Sequence, residues 1–215
     1  MTCAPFFVSL RKTQAMERIP LTKAEKAMFV AAASRWEGYL EKETRDVSQY
    51  DSKTANPGMN NYNRFSRRFD NVVFGGKPAK DGYPWCATFV FSSLYDALFA
   101  AKHGGKYPSL EEKPDPQTVQ RLEQALGADD FKYLAGVVQW TRILPRTATP
   151  EPGDLIVFLS KHARPIHIGI VVDYAKGKVC TIEGNTSAAG TEVDPNGGCC
   201  AKKIRKDENV LFLKL

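Results

Sequence analysis

A chain of 215 residues with a formal charge of +6 can bury one well-packed core and is short for two. Hydrophobic residues make up 43% and charged ones 25%, ordinary for a soluble globular domain, and no apolar run approaches the roughly 20 residues a membrane helix needs. The 30 basic residues outnumber the 24 acidic ones without a dense tract, so the excess reads as a solvated basic surface suited to polyanions, not as a nucleic-acid groove.

Residues 1–20 have no clear periodicity and read as an arm. The apolar patch near Met1 is followed, not preceded, by Arg11 and Lys12, and no small-residue cleavage site follows, so no secretion signal is expected. Thr22 and Glu25 have capping-box spacing ahead of AEKAMFVAAASRWEGYLEK, a helix-forming run with Met28, Ala32, Trp36 and Tyr39 or Leu40 on one apolar face. From Ser48 to Asp81 the chain is rich in Asn, Gly, Asp and Pro, which predicts a long surface loop with one short helix around Tyr62 to Phe69.

After Pro84 the stretch WCATFVFSSLYDALFAAK predicts a helix that buries Phe89, Leu94 and Leu98 and stops at Gly104 and Gly105. Asp115 and Pro116 start another, and a further helix is expected over Asp129 to Ile143. Beyond Gly153 the period becomes two, so DLIVFL, IHIGIVVDY, KVCTIEG and NVLFLKL read as strands. The expectation is one α+β domain over 1–215: an arm to residue 20, a mainly helical half over 21–150 and a mainly strand half over 151–215. The N-terminal helices pack on a C-terminal antiparallel sheet.

Five cysteines is an odd number, and their spacing forms no disulfide framework. Cys86 stands in the first turn of its predicted helix, where unpaired N–H groups and the positive end of the helix dipole stabilise a thiolate and later an oxyanion. In Ile166 to Val172 the isoleucines and Val172 alternate onto a core face, which turns His167 to the other face beside Gly169. Thr181, Glu183 and Asn185 share one face of the next strand. A three-residue turn at Ala175-Lys176-Gly177 pairs Tyr174 with Lys178 and sets His167 across from Asn185, with Glu183 on the diagonal. Either Glu183 or Asn185 can fix the imidazole tautomer. Glu183 is favoured, because a carboxylate also stabilises the imidazolium. A helix-start Cys with a strand His and Glu is the arrangement of a papain-like thiol hydrolase. His162, His167, Cys199 and Cys200 match no standard zinc spacing.

At PWCATFV (84–90), PGDLIVF (152–158), HIGIVV (167–172) and TIEGNTS (181–187) the sequence resembles the CHAP family, the cysteine, histidine-dependent amidohydrolases and peptidases related to NlpC/P60 enzymes. GYLEK (38–42) and TANPGMNNYNRF (54–65) are similar to the lead-in of some members from Gram-positive bacteria and their phages. The resemblance implies a papain-like fold and a monomeric peptidoglycan amidase or endopeptidase using Cys86, His167 and Glu183, with Asn185 assisting. Many relatives carry a Gln or Tyr just before the nucleophile as an oxyanion donor. Here Trp85 precedes Cys86, and Tyr83 or the Cys86 N–H takes that role. No cofactor is required; calcium, which some relatives bind, has Asp70 and Asp81 as candidate ligands. The site of action is the bacterial cell wall, reached as a phage or prophage lysin or by secretion with a trimmed or missing signal. The rival readings are a papain-like peptidase or transamidase on proteins and a catalytically silent wall-binding module.

Overall fold

The computed structural model describes residues 16–175, 177–188 and 193–215; the expected N-terminal arm lies outside them as far as residue 15. Helix α1, Lys23–Ser34, opens with the capping box foreseen: the Thr22 hydroxyl accepts the Glu25 N–H, and the Glu25 carboxylate accepts the Thr22 N–H at 2.8 Å. The helix is shorter than its helix-forming run. The chain turns through Gly38, whose φ of +80° suits a residue without a side chain. The buried face of α1 is therefore Phe29, Ala32 and Ala33, with Met28 only half-buried, and Trp36 and Tyr39 join the core from the turn.

Helix α2, Arg64–Phe74, is longer and deeper than a surface turn. Asn63 caps it by accepting the N–H groups of Phe65 and Ser66 at 3.0 and 2.8 Å. Its charges go inside because Asp96 waits there. That carboxylate lies 3.3 Å from Arg64, 3.3 Å from Arg68 and 2.8 Å from Arg35. Asp96 belongs to α3, Cys86–Lys102, a helix apolar on nearly every side and hence the central one, packed against α1, α2 and the sheet. Helix α4, Pro116–Leu126, starts with Asp115 as cap and Pro116 in its first position, as expected. The single helix foreseen over 129–143 is instead a 3₁₀ turn, Lys132–Ala135, and α5, Val137–Ile143. Gly136 is extended between them, and the Trp140 indole N–H donates to the Leu134 carbonyl at 2.8 Å, which pins the break.

The strands are β1 (Arg146–Thr147), β2 (Leu155–Leu159), β3 (Pro165–Ala175), β4 (Lys178–Thr186), β5 (Cys199–Lys206) and β6 (Val210–Leu213). They form one antiparallel sheet in the order β1-β6-β2-β3-β4-β5. The fold is α+β, N-terminal helices on a C-terminal sheet. Ile168, Ile170 and Ile182 face the helices, while Ile156, Phe158, Val171 and Val179 form a smaller cluster. Among the described residues, no helix is long and apolar enough to cross a membrane.

The β3–β4 hairpin differs from expectation at its tip and agrees near the site. Ala175 pairs with Lys178 and Tyr174 with Val179, one residue out of the expected register. An irregularity between Val171 and Asp173 takes up that residue, and Ile170 then pairs with Ile182, the register that sets His167 and Glu183 on one face. Strand β5 was not foreseen.

Candidate active site

Two glycines let the site close. A Cβ on Gly184 would lie 2.4 Å from Phe89 and 2.8 Å from Trp85, so only glycine lets β4 approach the first turn of α3 this closely. A Cβ on Gly169 would lie 2.7 Å from the Glu183 Cγ. The space foreseen beside His167 is thus filled by Glu183 itself.

Cys86 is the first residue of α3 and only 5% exposed, yet it lines a cavity of about 600 Å³. No side chain caps this helix, so its first-turn N–H groups are not consumed by a cap. His167 on β3 is fully buried. Its Nε2 is 3.0 Å from the Glu183 Oε2, and its Nδ1 has no hydrogen-bond partner among the described residues, which leaves that nitrogen open. Burial acts against charge on His167, but the neighbouring Cys86 and Glu183 outweigh that and raise its pKa to about 9. Ile166, expected in the core, is instead 39% exposed and lines the cavity.

Glu183 is itself held from three sides. Thr181 donates its hydroxyl to Oε1 at 2.6 Å, and Arg205 on β5 reaches Oε1 through Nε at 2.9 Å and Oε2 through Nη2 at 2.7 Å. Burial would raise the Glu183 pKa, but Arg205 and His167 together hold it down at about 2. The Phe158 ring covers this pair, 5.6 Å from the His167 ring and 5.3 Å from the Arg205 guanidinium. Arg205 carries no hydrophobic signal in the sequence: Ala201, Lys203 and Arg205 turn inward and Lys202, Ile204 and Lys206 outward, so charge stands on both faces of β5.

The other candidates separate. Asn185, in the left-handed region at φ 57°, does not take the imidazole. Its amide donates to the Pro195 carbonyl and Asn196 side chain at 3.1 and 3.2 Å, and its oxygen accepts the Gly198 N–H. It thereby fixes a loop whose Pro195 and Asn196 form part of the cavity wall. Trp85 is fully buried, stacked on Phe65 at 5.2 Å, and its indole N–H donates to Glu41 at 2.7 Å, so the ring anchors the start of α3. Tyr83 is 62% exposed and lines the cavity with Cys86.

Asp70 and Asp81, the candidate calcium ligands, both face protein donors. Asp70 is buried and accepts the Lys80 N–H at 3.0 and 3.1 Å, and Asp81 accepts the Tyr50 hydroxyl at 2.9 Å. Each donor takes one of the roughly four lone-pair sites of a carboxylate, so a cation at these oxygens would compete with the donors already there. Among the described residues no three His, Cys, Asp or Glu side chains converge as metal ligands, the quartet of His162, His167, Cys199 and Cys200 included.

The CHAP domain family matches residues 78–185, a span that begins just before the loop leading into α3 and takes in Cys86, His167 and Glu183. The chain belongs to the CHAP family. The matched span ends at Asn185, so Arg205 of this CHAP protein lies beyond it. Comparison with curated proteins and with solved structures found no match.

Proposed function

We propose that the protein hydrolyses amide bonds of bacterial peptidoglycan, as an N-acetylmuramoyl-L-alanine amidase or an endopeptidase, with Cys86 as nucleophile. The observation that carries this reading is the line Cys86–His167–Glu183 at the edge of an open cavity, in a chain of the CHAP family. His167 accepts the thiol proton at Nδ1 while its Nε2–H stays on Glu183. The thiolate attacks the amide carbon, forming a C–S bond and moving an electron pair onto the carbonyl oxygen. The Cys86 N–H, at the uncapped start of α3, receives that oxyanion, and Tyr83 supplies a second donor from the cavity wall. As the carbonyl re-forms, the C–N bond breaks and the imidazolium protonates the leaving amine. Water, deprotonated by His167, then adds to the thioester; the C–S bond breaks, and the product acid and the free thiol remain. General-base help of this kind is worth roughly 10²–10⁴-fold and an oxyanion donor roughly 10²–10³-fold.

The test is to incubate wild type and Cys86→Ala with several purified peptidoglycans under reducing conditions and identify released fragments by mass spectrometry. Fragments from wild type alone are expected, and their new termini name the bond cut. No fragment from any wall would overturn the reading.

A further inference from the structure

The cavity at Cys86 carries charges that the catalytic groups do not use. Lys80 and Lys132 line it, and among the described residues no carboxylate does. A second hollow shares Tyr133 and Gly136 with it and continues along α5 to Arg142, again with no acidic residue among those described. The Lys80 side chain is half-buried and its ammonium forms no ion pair among the described residues; it stands 5.9 Å from the centre of the Tyr83 ring. Lys132 meets Asp130 at 3.7 Å, with the two side chains 61% and 52% exposed. A pair so exposed is worth little and does not neutralise the lysine. On its far side Lys132 borders a hollow with Glu123, Asp129 and Asp130, so Lys80 is the stronger of the two cations. Between them the wall is apolar: Tyr83, Tyr133 and Ile166 stand 62%, 69% and 39% exposed.

A groove with one sign of charge and low-dielectric walls concentrates the opposite charge. Such a wall can take apolar side chains, and the ammonium groups lining the same cavity can take an anion carried by the same ligand. We propose that Lys80, supported by Lys132, recognises a free carboxylate on the peptide beside the scissile amide. The preferred substrate is then a short peptide of small residues in its acid form, not its carboxamide. This inference rests on the hydrolase reading for the site and adds the chemical class that the site selects.

Binding to Cys86→Ala tests it without turnover. The probe is a fluorescently labelled L-Ala–D-isoglutamyl–L-Lys–D-Ala peptide, prepared as free acid and as carboxamide and titrated at about 50 mM salt, where screening is modest. The acid is expected to bind about tenfold tighter than the carboxamide. Adding Lys80→Gln and Lys132→Gln should erase that preference, so that acid and carboxamide bind alike. Equal affinities, a preference that survives both substitutions, or no binding of either peptide would overturn it. The two readings fail separately. Walls cut by wild type with no carboxylate preference would sink the recognition and keep the hydrolase. Lysine-dependent binding of the acid with every wall left intact would do the reverse.

Discussion

Arg205 grips Glu183 at both carboxylate oxygens, at 2.9 and 2.7 Å, so the group that orients His167 is itself oriented from the neighbouring strand. Both side chains are nearly inaccessible, at 2% and 0%. Removing one partner of such a pair leaves an uncompensated buried charge, at a cost of about 3–5 kcal/mol. Arg205→Met should therefore melt well below wild type. Arg205→Lys keeps the charge without the fork and should fold, with kcat reduced about 10–100-fold and KM little changed, the effect typical of losing an outer partner. Its acid limb should move to higher pH, because Glu183 loses part of what holds its pKa at about 2. Steady-state kinetics across pH decides; wild-type kcat in Arg205→Lys would show the fork to be structural only.

The pH profile follows from the same chain of groups. The His167 pKa is raised to about 9, so the imidazolium that the proposed mechanism uses to protonate the leaving amine is present through neutral pH and lost above about 9. Activity should fall on that alkaline limb. The stability that His167 draws from its partners is full below its ordinary value of about 6.5 and vanishes as pH rises through about 9. Glu183 is lowered, so its contribution is present above about 4.5 and is lost as pH falls toward about 2. Glu183→Gln removes the negative charge facing the ring and should draw the alkaline limb downward. A limb unmoved in that variant would detach it from His167.

These helix boundaries were legible because each has a local cause: Thr22 with Glu25 and Asp115 with Pro116 at two starts, and the Gly pair after Lys102 at one end. Cys86, His167 and Glu183 were legible because position in a helix turn and strand parity fix where they point. Strand β5 was not, and the reason is physical. Its inward residues include Lys203 and Arg205, 7% and 4% exposed, while Ile204 is 68% exposed, the reverse of the pattern that marks a half-buried strand. Buried charge is invisible to a hydrophobic pattern, since it is stabilised by a partner such as Glu183, 22 positions away. Helix α2 misled in the same way: Arg64 and Arg68 read as surface until Asp96, on another helix, is placed between them.

Calcium removal gives a prediction from geometry. The Asp70 carboxylate faces the Lys80 N–H, and Asp81 faces the Tyr50 hydroxyl and the Asn63 N–H, so hydrogen bonds hold the loop before Cys86 where a cation would otherwise serve. Fragment release from a susceptible wall should be the same after chelation with EDTA and after calcium is restored. Loss on chelation with recovery by calcium alone would place a cation where these donors now stand. Asp70→Asn should weaken activity by loosening the loop, and added calcium should not rescue it.

Gly184→Ala tests how closely β4 must approach α3. The added methyl would sit 2.4 Å from the Phe89 ring and 2.8 Å from Trp85, both fully buried, so neither ring can swing into solvent. Overpacking of this kind costs about 1–3 kcal/mol, or several degrees in Tm for a chain this long. The kinetic effect should be larger than the thermal one. Trp85 and Phe89 flank Cys86 on α3, whereas Glu183 adjoins Gly184 on β4, so the strain separates the nucleophile from the residue that orients its base. A misplacement of about 1 Å at a reacting pair can cost about 10²-fold. Gly184→Ala should thus keep its circular dichroism and most of its Tm while kcat/KM falls by about that factor. Gly169→Ala acts on the other contact, pressing the Glu183 Cγ at 2.7 Å, and should lower kcat/KM while altering the alkaline limb as well. Near-wild-type kinetics in both variants would mean that the sheet can shift without moving the thiol from the imidazole, and the close approach would then be a packing feature alone.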